Sequence, residues 1–92
     1  MIMIRGKSPK AVAYDIAEGY VIVNPIFLKP LDTEALKELH AEMQKVQSEI
    51  RSEKFPYSDI QGIRRRNVKL SKLHQAAMIV RNFARERRVL IL

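Results

Sequence analysis

The 92-residue chain contains no cysteine and only three glycines. Without cysteine the protein can form no disulfide, no thiolate nucleophile and no cysteine-ligated zinc site. Because the glycines are not clustered, the sequence holds no phosphate-binding loop and no dinucleotide-binding fingerprint. The N-terminus also lacks the long apolar core of a signal peptide. Together these features lead us to expect a cytoplasmic protein.

Long apolar runs and catalytic motifs are scarce as well. No apolar run approaches the roughly 18 residues that cross a bilayer, so we expect no transmembrane segment. His40 and His74 are the only histidines, and neither lies in an HExxH motif or another metal-ligand spacing. We therefore expect no metal site, no cofactor and no enzymatic activity, with the histidines packing at the edges of helices.

The composition is that of a small folded protein. Apolar residues make up 47% of the chain and charged residues 29%, and the mean hydropathy is −0.20. These values are too apolar for intrinsic disorder. At 10.7 kDa the chain is long enough for one modest core, so we expect residues 1–92 to form a single domain.

The first third of the sequence predicts a small sheet. Residues 20–24 include Tyr-Val-Ile-Val, a composition that strands favour, and residues 11–16 place apolar side chains on one face if extended. Ala17 to Gly19 would join them as a three-residue hairpin, and residues 2–5 would add a third strand. Ser8, Pro9 and Gly19 also fit the N-cap, first residue and C-cap of a helix over 9–18. We favour the hairpin, because residues 20–24 need a strand partner.

Two helices follow, and their apolar periodicity is strong. Leu36, Leu39, Met43, Val46 and Ile50 recur at 3-4-3-4 spacing, which with Asp32 as N-cap predicts a helix over 32–53. Leu70, Leu73, Ala77, Val80 and Ala84 repeat that spacing and predict a second helix over 67–88. Asn67 could cap this helix, or Ser58 could start it earlier, but Gly62 disfavours the early start by about 1 kcal/mol relative to alanine. We therefore expect a separate helical turn at 58–63.

Two equal apolar stripes joined by a short link predict an antiparallel helical hairpin, which sets His40 near Arg81. The whole fold is then α+β: a β-hairpin or three-stranded sheet packed on the helical hairpin. Residues 89–92 are apolar and would either form a last strand of the sheet or remain as an exposed patch.

The net charge of +7 is concentrated in the last part of the chain. Residues 1–30 carry four basic and two acidic side chains, and residues 31–54 carry four basic and six acidic. Residues 55–92 carry nine basic and two acidic, which equals the net charge of the whole chain. In the antiparallel register few of these basic side chains meet a carboxylate. The acidic residues of the first helix pair instead with lysines of the same helix, three or four residues away.

These unpaired cations are the candidate site. The adjacent guanidiniums of residues 64–66 repel one another. Arg81, Arg85 and Arg88, spaced by four and three residues, form a basic ridge on one helix face. An anionic partner would reduce the charge repulsion in both places. A solvated surface and C-terminal helix stabilisation are the structural alternatives. The candidate nucleic-acid or anion-binding residues are Arg64, Arg65, Arg66, Lys69, Arg81, Arg85 and Arg88.

Two functions are compatible with this pattern. The first is a nucleic-acid-binding module that contacts phosphates without sequence specificity. The second is a protein-interaction or assembly module that docks its basic ridge on an acidic protein, or forms a homodimer through residues 89–92 or the sheet edge.

Overall fold

The computed structural model describes residues 2–89, and within this range all regular secondary structure is helical. The elements are α1 (Pro9–Glu18), α2 (Pro25–Leu28), α3 (Thr33–Arg51) and α4 (Ile60–Glu86). Residues 2–89 contain no β-strand, and their one β-bridge joins Ile4 to Lys7 across a tight turn. The predicted α+β fold is therefore wrong, because the sheet on which it depended is missing.

Residues 11–16, predicted as a strand, lie in α1. The Ser8 hydroxyl accepts a hydrogen bond from the Ala11 amide at 3.2 Å, and Pro9 occupies the first turn. Gly19 ends the helix in the left-handed conformation, with φ of 83°, which glycine adopts at little cost. Both ends of α1 are thus specified locally, and these caps outweigh the strand preference of the residues between them.

The other two predicted strands are also wrong. Residues 2–5 enter the tight turn at Ile4–Lys7, whose two central residues have positive φ, and they pair with nothing else that the structure describes. Residues 20–24 run from α1 to α2 without joining a sheet. Asn24 then caps α2, its side-chain oxygen accepting from the Phe27 amide at 2.8 Å.

Helix α3 confirms the predicted helix over 32–53 and its N-cap. The Asp32 carboxylate accepts a hydrogen bond from the Ala35 amide at 2.8 Å, and Glu34 lies in the positive first turn. Every residue of the predicted apolar stripe is buried. The helix ends at Arg51, two residues before the predicted end.

Helix α4 begins earlier than predicted and is continuous from Ile60 to Glu86. Its cap is Asp59, whose carboxylate accepts from the Gly62 amide at 2.9 Å, rather than Ser58 or Asn67. Gly62 is buried here: a Cβ at this position would lie 2.5 Å from Asp59 Oδ2 and 2.6 Å from Phe55 Cδ1. The glycine that seemed to disfavour an early start therefore permits it, because it leaves room for the cap and for Phe55.

The helices pack as a bundle, with α1 lying against both members of the α3–α4 hairpin. The antiparallel arrangement of α3 and α4 is as predicted, and it brings Arg81 to His40. Helix α1 is tied to α3 on its outer side by Tyr14, which donates to the Glu49 carboxylate, and by Lys10, 3.7 Å from the same carboxylate. The fully buried large side chains are Ile4, Leu28, Leu36, Leu39, Met43, Leu73, Val46 and Val80.

The end of α4 is fixed against the short helix α2. The Arg87 guanidinium donates to the backbone carbonyls of Lys29 and Leu31 and lies 4.5 Å from the centroid of the Phe83 ring. Arg88 follows in the left-handed region with φ of 61°, and the Val89 amide donates to the Ala84 carbonyl at 2.8 Å. Val89 is half-buried and not in a strand; residues 90–92 of the predicted last strand lie outside the described residues.

Candidate nucleic-acid interface

Helix α4 carries seven basic side chains, and Glu86, in its final position, is its only acidic residue. No carboxylate therefore occurs over the 26 residues from Ile60 to Arg85, which at about 1.5 Å per residue form a rod roughly 39 Å long. One side of this rod packs on α1 and α3, and the other faces solvent. The exposed side of α4 is consequently a long surface on which all the charge is positive.

Within residues 2–89, the arginines of this surface have no ionic partners. The four ion pairs that residues 2–89 form all use lysine: Lys7 with Asp15, Lys10 with Glu49, Lys45 with Glu42, and Lys69 with Glu18. The sequence-based inference that the arginines miss the carboxylates of α3 is thus confirmed for the described part of the chain. Their charge is available to an external anion wherever the side chain is exposed.

Two of the three adjacent arginines are available in this way. Arg64 and Arg65 are exposed, whereas Arg66 is half-buried and turns toward the α3–α4 link. The Arg66 Nη1 donates to the Glu53 carbonyl at 3.1 Å, and its guanidinium lies 5.9 Å from the Phe55 ring centroid. Arg66 therefore holds the link in place, which assigns it a structural role.

Lys69 and Lys72 lie beside Arg64 and Arg65, where α4 passes the C-terminal end of α1. Lys69 is 3.1 Å from the Glu18 carboxylate, so its charge is already compensated. These four cations and Glu18 line a cleft of about 300 Å³. Lys72 was not among the residues predicted from the sequence. Its ammonium packs against Gly19, where an added Cβ would lie 2.7 Å from Lys72 Nζ. The negative end of the α1 dipole stabilises a cation at this position.

The remaining candidates lie at the opposite end of α4. Arg81 is exposed, but its Nε donates to His40 Nε2 at 3.1 Å. Arg85 is exposed, and its side chain has no partner among the described residues. Arg88 was predicted to continue this ridge; because α4 ends at Glu86, it lies outside the helix. Arg64 and Arg85 are 21 residues apart, which places their Cα atoms about 31 Å from each other along α4. The seven predicted residues thus form two groups rather than one.

The outermost face of α4 joins these two groups. At about 100° per residue, Arg64 and Arg85 lie within about 60° of one another around the helix. The exposed side chains between them on that face are polar and uncharged or apolar, and amide and hydroxyl groups also bind phosphate oxygens. These polar residues were not predicted as part of the site, although the sequence shows their helical spacing and the lack of acidic residues around them. They are Asn67, Ser71, Gln75 and Asn82.

The two histidines of the chain do different things. His40 is only 2% exposed, and its Nε2 acts as an acceptor, which requires the neutral ring. Burial, and secondarily the charge of Arg81, lower the pKa of His40 below its ordinary value. His74 is exposed on α4. Within residues 2–89, no three histidine, aspartate or glutamate side chains come close enough together to hold a metal ion.

Comparisons with known proteins give no relative: no family model, no curated protein and no solved structure matches the chain. None of the four helices is long and apolar enough to cross a membrane.

Proposed function

We propose that the protein is a small binding module that contacts nucleic-acid phosphates through the exposed face of α4, without sequence specificity. The observation that carries this proposal is the unbroken run from Ile60 to Arg85, which has no acid and has exposed, unpaired arginines near both ends. Guanidinium groups bind phosphate oxygens in a bidentate manner, and a basic stripe along one helix is the usual electrostatic feature of nucleic-acid binding. The proposal includes a cytoplasmic location and a non-catalytic role.

The contact is to the backbone rather than to the bases. Base stacking is strongest with phenylalanine, tyrosine and tryptophan, and none of these is among the exposed side chains of α4 between Ile60 and Arg85. The arginines most suited to phosphate contact are Arg64, Arg65 and Arg85, because Arg66 and Arg81 have hydrogen-bond partners within the protein. With Arg88 or Lys72 added, about four phosphates would be neutralised.

The salt dependence of binding tests the proposal. Neutralising about four phosphates predicts that the logarithm of affinity for random-sequence duplex DNA falls with the logarithm of salt concentration at a slope of about −3.6. Fluorescence anisotropy with duplex and single strands at about 50 and about 200 mM salt measures this slope. A protein that binds neither form at the lower salt concentration is not a nucleic-acid-binding module.

Matched double variants locate the surface. R64Q/R65Q removes two positive charges from α4, and K10Q/K45Q removes two from the α1–α3 side, so both lower the net charge equally. We expect the first pair to weaken binding about tenfold or more and to reduce the slope by about 2, and the second to have little effect. Equal losses would mean that only net charge matters. Stronger binding to anionic vesicles than to either nucleic acid would reassign the surface to membranes.

A second candidate function, protein interaction, is favoured by a different surface. Tyr20, Ile22 and Ile26 are 79%, 78% and 81% exposed, an unusual exposure for three large apolar side chains within seven residues. This surface carries no basic ridge, so an acidic protein would dock on α4 and compete with nucleic acid, whereas an apolar partner would bind here. An apolar partner and nucleic acid would therefore use separate surfaces and could bind at the same time.

A further inference from the structure

We infer that residues 20–24 bind a second copy of this chain by antiparallel strand pairing across a twofold axis. This inference rests on the second candidate function, and it identifies the partner and the geometry. The segment leaves the Gly19 cap and enters α2 at Asn24, whose φ of −151° and ψ of 172° are those of a strand. Side-chain burial alternates along it: Tyr20 and Ile22 are exposed, while Val21 is half-buried and Val23 is buried. This period of two is characteristic of an extended chain.

The backbone of the segment is unused. The Tyr20 amide donates to the Asp15 carbonyl, and the Asn24 carbonyl accepts from the Leu28 amide. Between these two groups, no N–H or C=O of Val21, Ile22 or Val23 forms a hydrogen bond to any residue from 2 to 89. An extended segment with free backbone groups and a Tyr-Val-Ile-Val sequence is a template for another strand. A lipid surface is a poor partner, because hydrocarbon would leave these polar groups unsatisfied.

Charge identifies the partner as a second copy. The ten residues from Gly19 to Leu28 contain no charged side chain, in a chain whose net charge is +7. Two copies repel one another over most of their surface, and this uncharged stretch adds no repulsion of its own to a contact between them. Ile22 is the midpoint of 20–24, so a twofold axis through it pairs Ile22 with Ile22 and Tyr20 with Asn24. Such pairing is isologous and closes at a dimer.

The neighbouring surface extends the contact beyond the two strands. A two-stranded ribbon alone is marginal in water, so additional apolar burial is needed. A groove of about 280 Å³ lies between the segment and α4. Its lining is mostly apolar and includes Ile22, Val23, Ala76 and Ile79, and its polar members are Lys72 and Gln75. Ile26 of α2 is a further exposed apolar side chain, and it lines a second cleft together with Phe83 of α4. We expect a weak dimer that forms at high protein concentration.

Sedimentation equilibrium of the full chain tests the dimer. Between about 10 μM and about 1 mM, where weak complexes dissociate, the mass should rise from 10.7 kDa toward twice that value. Ile22→Lys should abolish the rise without changing the melting temperature, because Ile22 is exposed. The matched control is Ile60→Lys, which makes the same change at a residue 63% exposed on α4 and should leave the rise intact. A chain that stays monomeric throughout overturns the inference.

A single introduced cysteine tests the axis, because the natural chain has none. Opposed residues of an antiparallel pair have Cβ atoms about 4.5–5.5 Å apart, close enough for a disulfide after a small shift. Ile22→Cys should therefore form a disulfide dimer at least tenfold faster than Ile60→Cys under mild oxidation. Equal rates would contradict pairing through Ile22.

Amide hydrogen exchange separates this inference from the interaction function on which it rests. Amides of Val21, Ile22 and Val23 should exchange rapidly in dilute protein and become protected as concentration rises. Rapid exchange at every concentration overturns self-pairing but leaves the surface free for another partner. The amides could instead be protected at every concentration and lose that protection when residues 90–92 are deleted. In that case the chain's own tail covers the segment, which overturns both self-pairing and the interaction function.

Discussion

The Nε of Arg81 donates a hydrogen bond to the Nε2 of His40 across the α3–α4 interface, at 3.1 Å. The bond joins the most deeply buried polar side chain of the described core to a residue on the basic helix. It can exist only while His40 is neutral, because the protonated ring has no acceptor. Protonation would also place two cations in contact inside the bundle.

This relationship predicts that acid destabilises the protein before its carboxylates titrate. Because the folded-state pKa of His40 lies below its unfolded value near 6.5, the unfolded state binds more protons as pH falls. The free energy of unfolding should therefore be constant above about pH 7 and decrease as pH falls through about 6.5. Urea denaturation between pH 8 and pH 5 measures this change.

Two variants assign the effect to the buried histidine. His40→Gln should remove most of the pH dependence between pH 8 and pH 5, at a cost in stability of about 1–3 kcal/mol for disturbing a buried hydrogen-bonded group. His74→Gln replaces the exposed histidine and should leave the profile unchanged. If the profile of His74→Gln flattens instead, the assignment to His40 is wrong.

Gly62 gives a second prediction, opposite to the one that helix propensity makes. On an open helix surface, glycine to alanine stabilises by about 1 kcal/mol. At Gly62 the added Cβ would overlap Asp59 Oδ2 and Phe55 Cδ1, so the cap has to shift. Gly62→Ala should therefore destabilise the protein by about 1–2 kcal/mol, since loss of an N-cap and of local packing exceeds the propensity gain.

Thermal and urea unfolding of Gly62→Ala measure this cost, with Gln61→Ala as the control. Gln61 is exposed next to Gly62, so its replacement should change stability by no more than about 0.5 kcal/mol. Stabilisation by Gly62→Ala would show that the side chains of Asp59 and Phe55 accommodate the added methyl group at no net cost, which contradicts the prediction.

The start of α4 illustrates where sequence reasoning was wrong. The apolar stripes of α3 and α4 were predicted correctly, because five apolar positions at 3-4-3-4 spacing over 15 residues are characteristic of an amphipathic helix. Gly62 was interpreted from propensity alone, whereas its role depends on Phe55, which only the tertiary structure brings beside it. The predicted sheet was wrong for a related reason. Residues 20–24 have a composition that strands favour, but no described residue provides a partner strand.

The candidate site was predictable in outline and not in detail. The concentration of unpaired arginines follows from counting charges in an antiparallel register, and the described ion pairs agree with it. The internal roles of Arg66 and Arg87 were not visible, since each depends on backbone carbonyls of a distant loop. No sequence signal marks Arg88 as left-handed, because glycine or asparagine usually occupies that position.

Arg88 gives a third prediction, in which stability and binding change in opposite directions. A non-glycine residue in the left-handed region costs about 1–2 kcal/mol, part of which glycine recovers. Arg88→Gly should therefore raise the free energy of unfolding by about 0.5–1 kcal/mol, and it should weaken DNA binding if Arg88 contacts phosphate. Arg85→Gly, a replacement within the last turn of α4, should instead destabilise by about 1 kcal/mol.

The spacing of the two arginine groups gives the last prediction. About 31 Å separates Arg64 from Arg85 along α4, and duplex DNA advances about 3.4 Å per base pair, so both groups need about nine base pairs. A duplex of about 12 base pairs should bind at least tenfold more tightly than one of about 6, beyond the statistical gain from extra sites. The advantage should be strongest at low salt.

Removal of one group should abolish this length dependence. In R85Q/R88Q the second group keeps only Arg81, which is hydrogen-bonded to His40. Affinity should therefore be nearly equal for 6 and 12 base pairs after the statistical correction. R64Q/R65Q should behave in the same way, while K10Q/K45Q should retain the full dependence. If the natural protein binds both duplexes equally, the two groups do not act on one ligand, and the contact is confined to one end of α4.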